Sequence, residues 1–141
     1  MKRRRSIQCP RNNPSWVGTG IDLEMVEPFR KKRPGRDATF FRRAFSPAEI
    51  EYCRRFRDPA PRFAARFCAK EALIKAANPR AHLLISDAEV VHAFSGRPVL
   101  KPRSSRPEVV RFFRTHETFL SISHKDDLAV AFVVVLLKRR N

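Results

Sequence analysis

Three ionisable side chains have types and spacing suited to phosphate chemistry: Asp22, Glu71 and Lys75. Glu71 and Lys75 are four residues apart in an alanine-rich segment, so a helix there puts both on one face. Asp22 follows Gly-Thr-Gly-Ile, a segment that favours a buried strand. Carboxylate oxygens are the ligands that Mg²⁺ prefers, and Mg²⁺ takes its other positions from water and substrate phosphates. If the three residues converge, they would form a pyrophosphate site.

Each candidate also has an ordinary structural interpretation. Taken alone, Glu71 and Lys75 are more simply an ion pair on a solvated helix face, and Asp22 is a turn or capping residue at the end of its strand. His124 follows Ser-Ile-Ser at the mouth of a predicted hairpin, where a turn histidine bonded to a backbone carbonyl is the alternative. The other histidines lack partners at ligand spacing and are interpreted as structural or exposed: His82, His92 and His116.

The helix that carries Glu71 and Lys75 is predicted over Arg62–Ala77, which contains no Gly or Pro and is rich in Ala, Leu and Lys. Its bulky apolar side chains share one face, and alanines cover a second side. The bulky set is Phe63, Phe67, Leu73 and Ile74. Because most of this helix is expected to be buried, the charged pair of Glu71 and Lys75 favours a functional site over an ordinary solvated face.

The order of patterns along the chain predicts an α+β fold, in which an antiparallel sheet packs on this long central helix. Before the helix we predict a strand over 16–23 that ends near Asp22, a short helix and a loop within 27–41, and a helix from the capping box at Ser46 to about Arg57. After it we predict two strands, within 83–94 and 96–100, joined by a Ser-Gly turn, then a helix over 107–116 and a hairpin of 119–124 and 128–137.

The 141 residues fit one domain, with 43% hydrophobic and 31% charged residues. We assign residues 16–141 to that domain, and residues 1–15, with five basic and no acidic side chains, to a flexible basic arm. A net charge of +16 favours a polyanion or a strongly acidic protein as partner.

The three cysteines, Cys9, Cys53 and Cys68, lack the spacing of a zinc site or disulfide framework. With no signal-peptide pattern and a longest apolar run of ten residues, a soluble cytoplasmic protein is expected.

Five motifs, in order, resemble those of the holo-acyl-carrier-protein synthases, a family of 4′-phosphopantetheinyl transferases. They are Gly20-Ile21-Asp22, Phe45-Ser46-x-x-Glu49-x-x-Tyr52, Arg66-Phe67-x-Ala69-Lys70-Glu71-Ala72-x-x-Lys75, Gly96-Arg97-Pro98 and Ser121-Ile122-Ser123-His124. The third is the most specific, and the resemblance spans roughly residues 16 to 137.

This resemblance implies Mg²⁺-dependent transfer of the phosphopantetheine arm from coenzyme A to a serine hydroxyl of apo-acyl carrier protein, with release of adenosine 3′,5′-bisphosphate. It implies that Asp22 and Glu71 are metal ligands and that Lys75 binds the pyrophosphate. Glu71, Lys75 and His124 would be the catalytic residues. The coenzyme A-binding residues would be Arg66, Lys75, Gly96, Arg97, Pro98, Ser123 and His124. Family members of this length resemble trimers with active sites between subunits, so a homotrimer is expected.

Cleavage of a phosphoanhydride needs charge neutralisation and a placed nucleophile, which a metal, a lysine and a histidine can supply, with Glu71 or a metal-bound water accepting the serine proton. Carrier proteins of this kind are acidic, and segment 29–57, with ten basic and three acidic residues, lies where the family's docking helix would be.

The competing interpretation is a basic nucleic-acid-binding module, favoured by 22 Arg against 8 Lys. Against it, the aromatic residues fall at apolar-periodic positions, and no stacking platform is evident.

Overall fold

The computed structural model describes residues 16–32 and 35–138, and the basic arm predicted for residues 1–15 lies outside them. The helices of the described residues are α1 (Glu27–Lys31), α2 (Ala38–Ala44), α3 (Pro47–Arg54), α4 (Ala60–Ala77) and α5 (Pro107–Thr115). The strands are β1 (Val17–Met25), β2 (Ala88–His92), β3 (Pro98–Pro102), β4 (His116–Lys125) and β5 (Leu128–Leu137). Strands β1, β5 and β4 form one antiparallel sheet in that order, and β2 and β3 form a separate antiparallel pair. The predicted α+β class, with antiparallel strands on a long central helix, is confirmed.

Strand β1 is longer than predicted, and its expected end near Asp22 is wrong. The strand pairs with β5 along its whole length, so Asp22 lies opposite Ala131 in mid-strand. Because side chains alternate along a strand, Asp22 shares a face with Gly18, Gly20 and Glu24. That face is turned towards α4.

Two glycines allow β1 to lie directly on α4. A Cβ atom at Gly18 would lie 2.0 Å from the carbonyl oxygen of Ala76, and one at Gly20 would lie 2.0 Å from that of Ala72. No heavy-atom contact can be that short, so only glycine fits at either position. The two glycines therefore serve the close approach of a strand to a helix.

Helix α4 has the predicted distribution of side chains. Phe63 and Leu73 are buried, and Phe67 and Ile74 are partly buried against the same core. The alanines of its second side are also buried: Ala65, Ala69, Ala72 and Ala76. The capping box at the start of α3 is confirmed, because the Ser46 side chain accepts from the Glu49 amide while Glu49 accepts from the Ser46 amide.

Two other segments differ from the sequence predictions. Residues 38–44, expected to lie mostly in a loop, form α2, whose Phe41 and Ala44 are buried in the core. Residues 83–87, expected to belong to a strand, contain a 3₁₀ turn at Ile85–Asp87, and β2 begins only at Ala88. The turn forms because the buried Asp87 carboxylate accepts a 2.7 Å hydrogen bond from the Leu84 amide.

A buried ion pair joins α4 to α3 and β2. Nζ of Lys70 lies 2.7 Å from Oε2 of Glu49 and donates to the carbonyl of Ala44, and both charged side chains are 1% exposed. The second Glu49 oxygen accepts from the Val90 amide. The pair therefore has the additional hydrogen bonds that a desolvated charge needs.

The face of the three-stranded sheet that points away from α4 is apolar and exposed. Ile21 and Leu23 of β1 are each 61% exposed, and large apolar side chains of β4 and β5 continue the surface. We define the outer sheet face by Ile21, Leu23, Met25, Phe119, Leu128 and Phe132. None of the helices in the described part of the chain is both long and apolar enough to span a membrane.

Candidate active site

The structure brings Asp22 of β1 against Lys75 of α4. Nζ of Lys75 lies 2.7 Å from Oδ1 of Asp22 and donates a second bond, of 3.0 Å, to the carbonyl of Ile21. The contact follows from the close packing of β1 on α4, which the two glycines permit. The hydrogen bond to Asp22 raises the pKa of Lys75, so the ammonium stays charged across the neutral range.

Glu71 lies one helical turn before Lys75 and close to Asp22. Partial burial raises its pKa, and the Asp22 charge raises it further, while Lys75 opposes the shift. The predicted trio of Asp22, Glu71 and Lys75 therefore meets at one place between β1 and α4.

Glu24 also belongs to this acidic neighbourhood, and the sequence analysis missed it. Burial raises its pKa, with further contributions from Asp22 and Glu71. The two-residue repeat of a strand puts Glu24 on the face of Asp22, and that spacing could have identified it.

The donor set between β1 and α4 fits a magnesium ion. Oδ2 of Asp22 is buried and has no hydrogen-bond partner among the described residues, so a hard oxygen is available for a ligand. Glu71 adds a second carboxylate, and Mg²⁺ typically needs only one or two from the protein. Within residues 16–32 and 35–138 no group of three or more His, Cys, Asp or Glu side chains is arranged to hold a metal.

Two described thiols lie close to the charged groups of α4. Cys68 donates to the carbonyl of Ala129 at 3.4 Å, and burial, with a contribution from Asp22, raises its pKa to about 12. Cys53 is fully buried, and burial raises its pKa to about 11. Both thiols stay protonated at neutral pH.

A second feature is a cavity of about 250 Å³ beside the N-terminal half of α4. Its lining includes three of the residues predicted to bind coenzyme A: Arg66, Pro98 and His124. Burial lowers the pKa of His124, and the nearby Arg62 adds to that effect. Three further lining residues were not predicted for this site: Arg62, Tyr52 and His92. Arg62 lies one helical turn before Arg66 and so shares its face.

The remaining predicted residues do not line this cavity. Gly96 and Arg97 are exposed in the turn between β2 and β3, where Gly96 has a positive φ of 81°. Ser123 is opposite Val130 and alternates with Ile122, so it belongs to the outer sheet face rather than to the face of Asp22.

The basic segment 29–57 contains an arginine held by carboxylates and exposed arginines in α2. Arg30 is held by three carboxylates, at 3.0 Å from Glu27, 2.9 Å from Asp58 and 3.1 Å from Asp127. It therefore links α1 to two neighbouring turns. Arg42 and Arg43 of α2 are exposed.

Comparison with known proteins identifies the family. The sequence profile described as ACPS: 4′-phosphopantetheinyl transferase superfamily matches residues 18–133. The holo-[acyl-carrier-protein] synthase of Geobacter sp. (strain M21) is 40% identical over 121 residues, which cover 84% of this chain and 96% of that relative. The chain belongs to the holo-acyl-carrier-protein synthase family of 4′-phosphopantetheinyl transferases. It is accordingly an enzyme of the transferase class.

Further relatives agree with this holo-acyl-carrier-protein synthase membership. The synthase of Syntrophus aciditrophicus (strain SB) is 37% identical over 120 residues, covering 84% of this chain and 94% of its own. The solved Chronobacterium ammoniagenes ACPS-CoA complex superposes with a TM-score of 0.69 at 28% identity, over 88% of this chain and 99% of that one. The Helicobacter pylori synthase in complex with coenzyme A gives a TM-score of 0.68 at 26% identity, over 83% and 98%.

Proposed function

We propose that this chain transfers the 4′-phosphopantetheine group of coenzyme A to a serine hydroxyl of an apo-acyl carrier protein, with Mg²⁺, and releases adenosine 3′,5′-bisphosphate. The transferase domain in this proposal spans residues 16–141. The observation that carries it is the meeting of Asp22 of β1 with Glu71 and Lys75 of α4, the helix that also lines a cavity with two arginines. The carboxylates suit a metal ion, and the cations suit the phosphates of coenzyme A.

Asp22 and Glu71 would hold the magnesium ion. The unpartnered Oδ2 of Asp22 supports this role, because a buried carboxylate oxygen without a donor is costly unless a ligand satisfies it. The ion, when bound, supplies neutralisation of the charge on the phosphoanhydride oxygens.

Lys75 would bind the pyrophosphate of coenzyme A. Its side chain is 52% exposed although it is hydrogen-bonded to Asp22, so the ammonium can reach a ligand from solvent. A positive charge at this point stabilises the negative charge that develops on the leaving phosphate.

Glu71 would accept the proton of the attacking serine hydroxyl, directly or through a water molecule. A general base must lie beside the reacting groups, and Glu71 lies beside Asp22 and Lys75.

Arg66 and His124 would contact phosphates of coenzyme A, and Gly96, Arg97 and Pro98 would lie along its adenine. Arg66 is 5% exposed, and its Nε lacks a hydrogen-bond partner among the described residues. A desolvated guanidinium of this kind favours an anion. Ser123 would contribute to coenzyme A binding from the outer sheet face.

The protein substrate would be an acidic carrier protein that docks on the basic segment. Arg42 and Arg43 of α2 are exposed cations there, whereas Arg30 is held by carboxylates of its own chain. Complementary charge mainly accelerates association and selects the partner.

The active form would be a homotrimer with active sites between subunits. The exposed apolar residues of the outer sheet face support self-association, because contiguous apolar surface of this kind marks an interface.

A cytoplasmic location accords with the two buried free thiols, which a reducing compartment preserves.

Incubation of the purified protein with coenzyme A, Mg²⁺ and an apo-acyl carrier protein tests the proposal. Intact-protein mass spectrometry should show addition of one phosphopantetheine to the carrier, and none when EDTA replaces Mg²⁺. A carrier protein in which the acceptor serine is alanine is the matched control. Absence of modification with several apo-carriers would refute the proposed function.

A further inference from the structure

The cavity beside α4 is lined by cations and contains no acidic side chain among the described residues that line it. Its basic groups come from three elements: Arg62 and Arg66 from α4, His92 from β2 and His124 from β4. Tyr52 of α3 closes one side. Unopposed positive charge around a concave surface favours an anionic ligand.

The burial and the incomplete hydrogen bonding of Arg66 indicate a ligand. Its side chain is 5% exposed, and its Nε has no hydrogen-bond partner in the described part of the chain. The guanidinium carbon lies 4.0 Å from the centre of the Tyr52 ring, which fixes the plane of the guanidinium.

Arg62 repeats this arrangement one helical turn earlier. Its guanidinium carbon lies 4.1 Å from the centre of the Phe56 ring, and Nη1 lies 2.7 Å from Nε2 of His124. An arginine can only donate, so this contact makes Nε2 the acceptor and leaves the ring proton on Nδ1. Neither Arg62 nor Arg66 forms an ion pair within residues 16–32 and 35–138.

The two rings that hold these arginines are neighbours: Tyr52 belongs to α3, and Phe56 lies in the bend that follows it. The ring centres of Tyr52 and Phe56 are 5.3 Å apart. The two rings are tilted by 57° to one another, and each carries one guanidinium group, which fixes the cations before a ligand arrives. Fixing them in advance reduces the entropy lost on binding.

We propose that Arg62 is a second anion-binding arginine of this cavity, and that Tyr52 and Phe56 are positioning residues that hold Arg66 and Arg62 to bind one phosphate group together. Residues one turn apart on a helix have Cβ atoms about 6 Å apart, a separation that two arginines can span to reach the same phosphate. The inference rests on the proposed function, because that function identifies the phosphate as belonging to coenzyme A.

Binding of coenzyme A in EDTA, measured by calorimetry, tests the inference apart from the metal. Arg62→Gln should raise the dissociation constant by about tenfold, because a charge-assisted hydrogen bond is lost. Phe56→Leu should raise it by about threefold, because the apolar volume is retained but the π face is removed. Phe56→Tyr keeps the ring, and Arg111→Gln removes one exposed positive charge from α5, so each should stay within about twofold of the parent protein.

The imidazole of His124 provides a second readout that does not depend on activity. Burial and then Arg62 lower its pKa. The other basic groups facing it across the cavity are Arg66 and His92, and burial and Arg66 lower the pKa of His92 as well. Arg62→Gln should therefore raise the pKa of His124 in an NMR titration, whereas Arg111→Gln should leave it unchanged. That difference is expected because Arg62 lies beside His124 and Arg111 does not line the cavity.

Coenzyme A binding and a His124 titration that are both unchanged in Arg62→Gln, in a protein that still modifies its carrier, would overturn the inference and leave the proposed function standing. Equal weakening by Phe56→Leu and Phe56→Tyr would overturn the positioning role of the ring. If the parent protein neither binds coenzyme A nor modifies a carrier, the proposed function fails and the inference fails with it.

Discussion

At the scale of single residues, the candidate site depends on carboxylates whose polar environment is incomplete. Asp22 has one oxygen bonded to Lys75 and one without a partner among the described residues. Glu71 is partly buried beside it. A buried carboxylate with an incomplete set of partners destabilises the fold unless a cation binds it. Because Asn and Gln have the same shape as Asp and Glu, the amide variants test the charge alone.

Asp22→Asn and Glu71→Gln should each reduce phosphopantetheine transfer by at least about a hundredfold, because each removes a charge that the proposed metal site requires. Thermal unfolding should change little, since both substitutions keep the side-chain volume. Transfer rates at saturating coenzyme A and circular dichroism melting curves check the two halves of this expectation. Near-normal transfer by either variant, still dependent on Mg²⁺, would contradict the ligand assignment.

The buried pair of Lys70 and Glu49 should behave differently, because it stabilises the fold. Lys70→Met should lower the free energy of unfolding by about 3 kcal/mol, since the Glu49 carboxylate remains buried without its cation. The double variant Glu49→Gln/Lys70→Met should recover part of that loss, which urea denaturation measures. A double variant as unstable as the sum of the single variants would show that the two side chains do not interact.

At the scale of secondary structure, the site depends on how closely β1 approaches α4. The carbonyl oxygens of Ala72 and Ala76 occupy the space that side chains at Gly20 and Gly18 would need. This close approach brings Asp22 within hydrogen-bond reach of Lys75. The distance between strand and helix is therefore a property of the active site as much as of the core.

Gly20→Ala should destabilise the protein by about 2 kcal/mol or more, because backbone atoms rather than flexible side chains must move to admit the methyl group. Gly35→Ala is the matched control, since a Cβ there meets no heavy atom within 4 Å. Denaturant unfolding compares the two. Equal stability of both variants would mean that β1 can move away from α4 at no cost.

The sequence predicted this region well where local patterns decide the structure and less well where packing does. The helical run of α4 and the capping box of α3 follow from propensity and spacing, and both are confirmed. The predicted strand stops at residue 23 because Glu24 is charged and Met25 faces away from the core, so no buried apolar pattern extends to the end of β1. The packing role of Gly18 and Gly20 depends on the carbonyl oxygens of α4 that lie against them, and the sequence pattern of β1 alone does not show that contact. Asp22, Glu71 and Lys75 could be selected because motif spacing needs no tertiary information.

At the scale of the whole molecule, two surfaces remain for partners: the outer sheet face and the exposed cations of α2. The first is apolar and the second is basic. Surfaces of such different character suit different partners, and variants on each should therefore have separable effects.

Phe132→Asp should convert a trimer into monomers, because it buries a charge in the centre of the outer sheet face. Phe94→Asp is the control, as Phe94 is fully exposed in the turn between β2 and β3 and lies outside that face. Size-exclusion chromatography with light scattering gives the mass of each. A parent protein that elutes with the 16.4 kDa mass of one chain would exclude the homotrimer.

Arg42→Glu together with Arg43→Glu should raise the KM for the apo-carrier protein by about tenfold and flatten its dependence on salt, because long-range attraction is lost. The KM for coenzyme A should not change. Arg111→Glu with Arg114→Glu makes the same charge change on α5 and should affect neither constant. If the double variant on α2 weakened coenzyme A alone, the basic segment would belong to the nucleotide site.

The burial of Cys53 and Cys68 has a consequence for an enzyme whose proposed co-substrate ends in a thiol. Mixed disulfides form when a thiolate attacks, and pKa values of about 11 and about 12 leave these two sulfurs almost entirely protonated at neutral pH. Neither sulfur is exposed, and Cys68 is further engaged with the carbonyl of Ala129. Oxidised coenzyme A therefore has no route to covalent capture at either position, and the thiol end of the arm can pass the site without being trapped there.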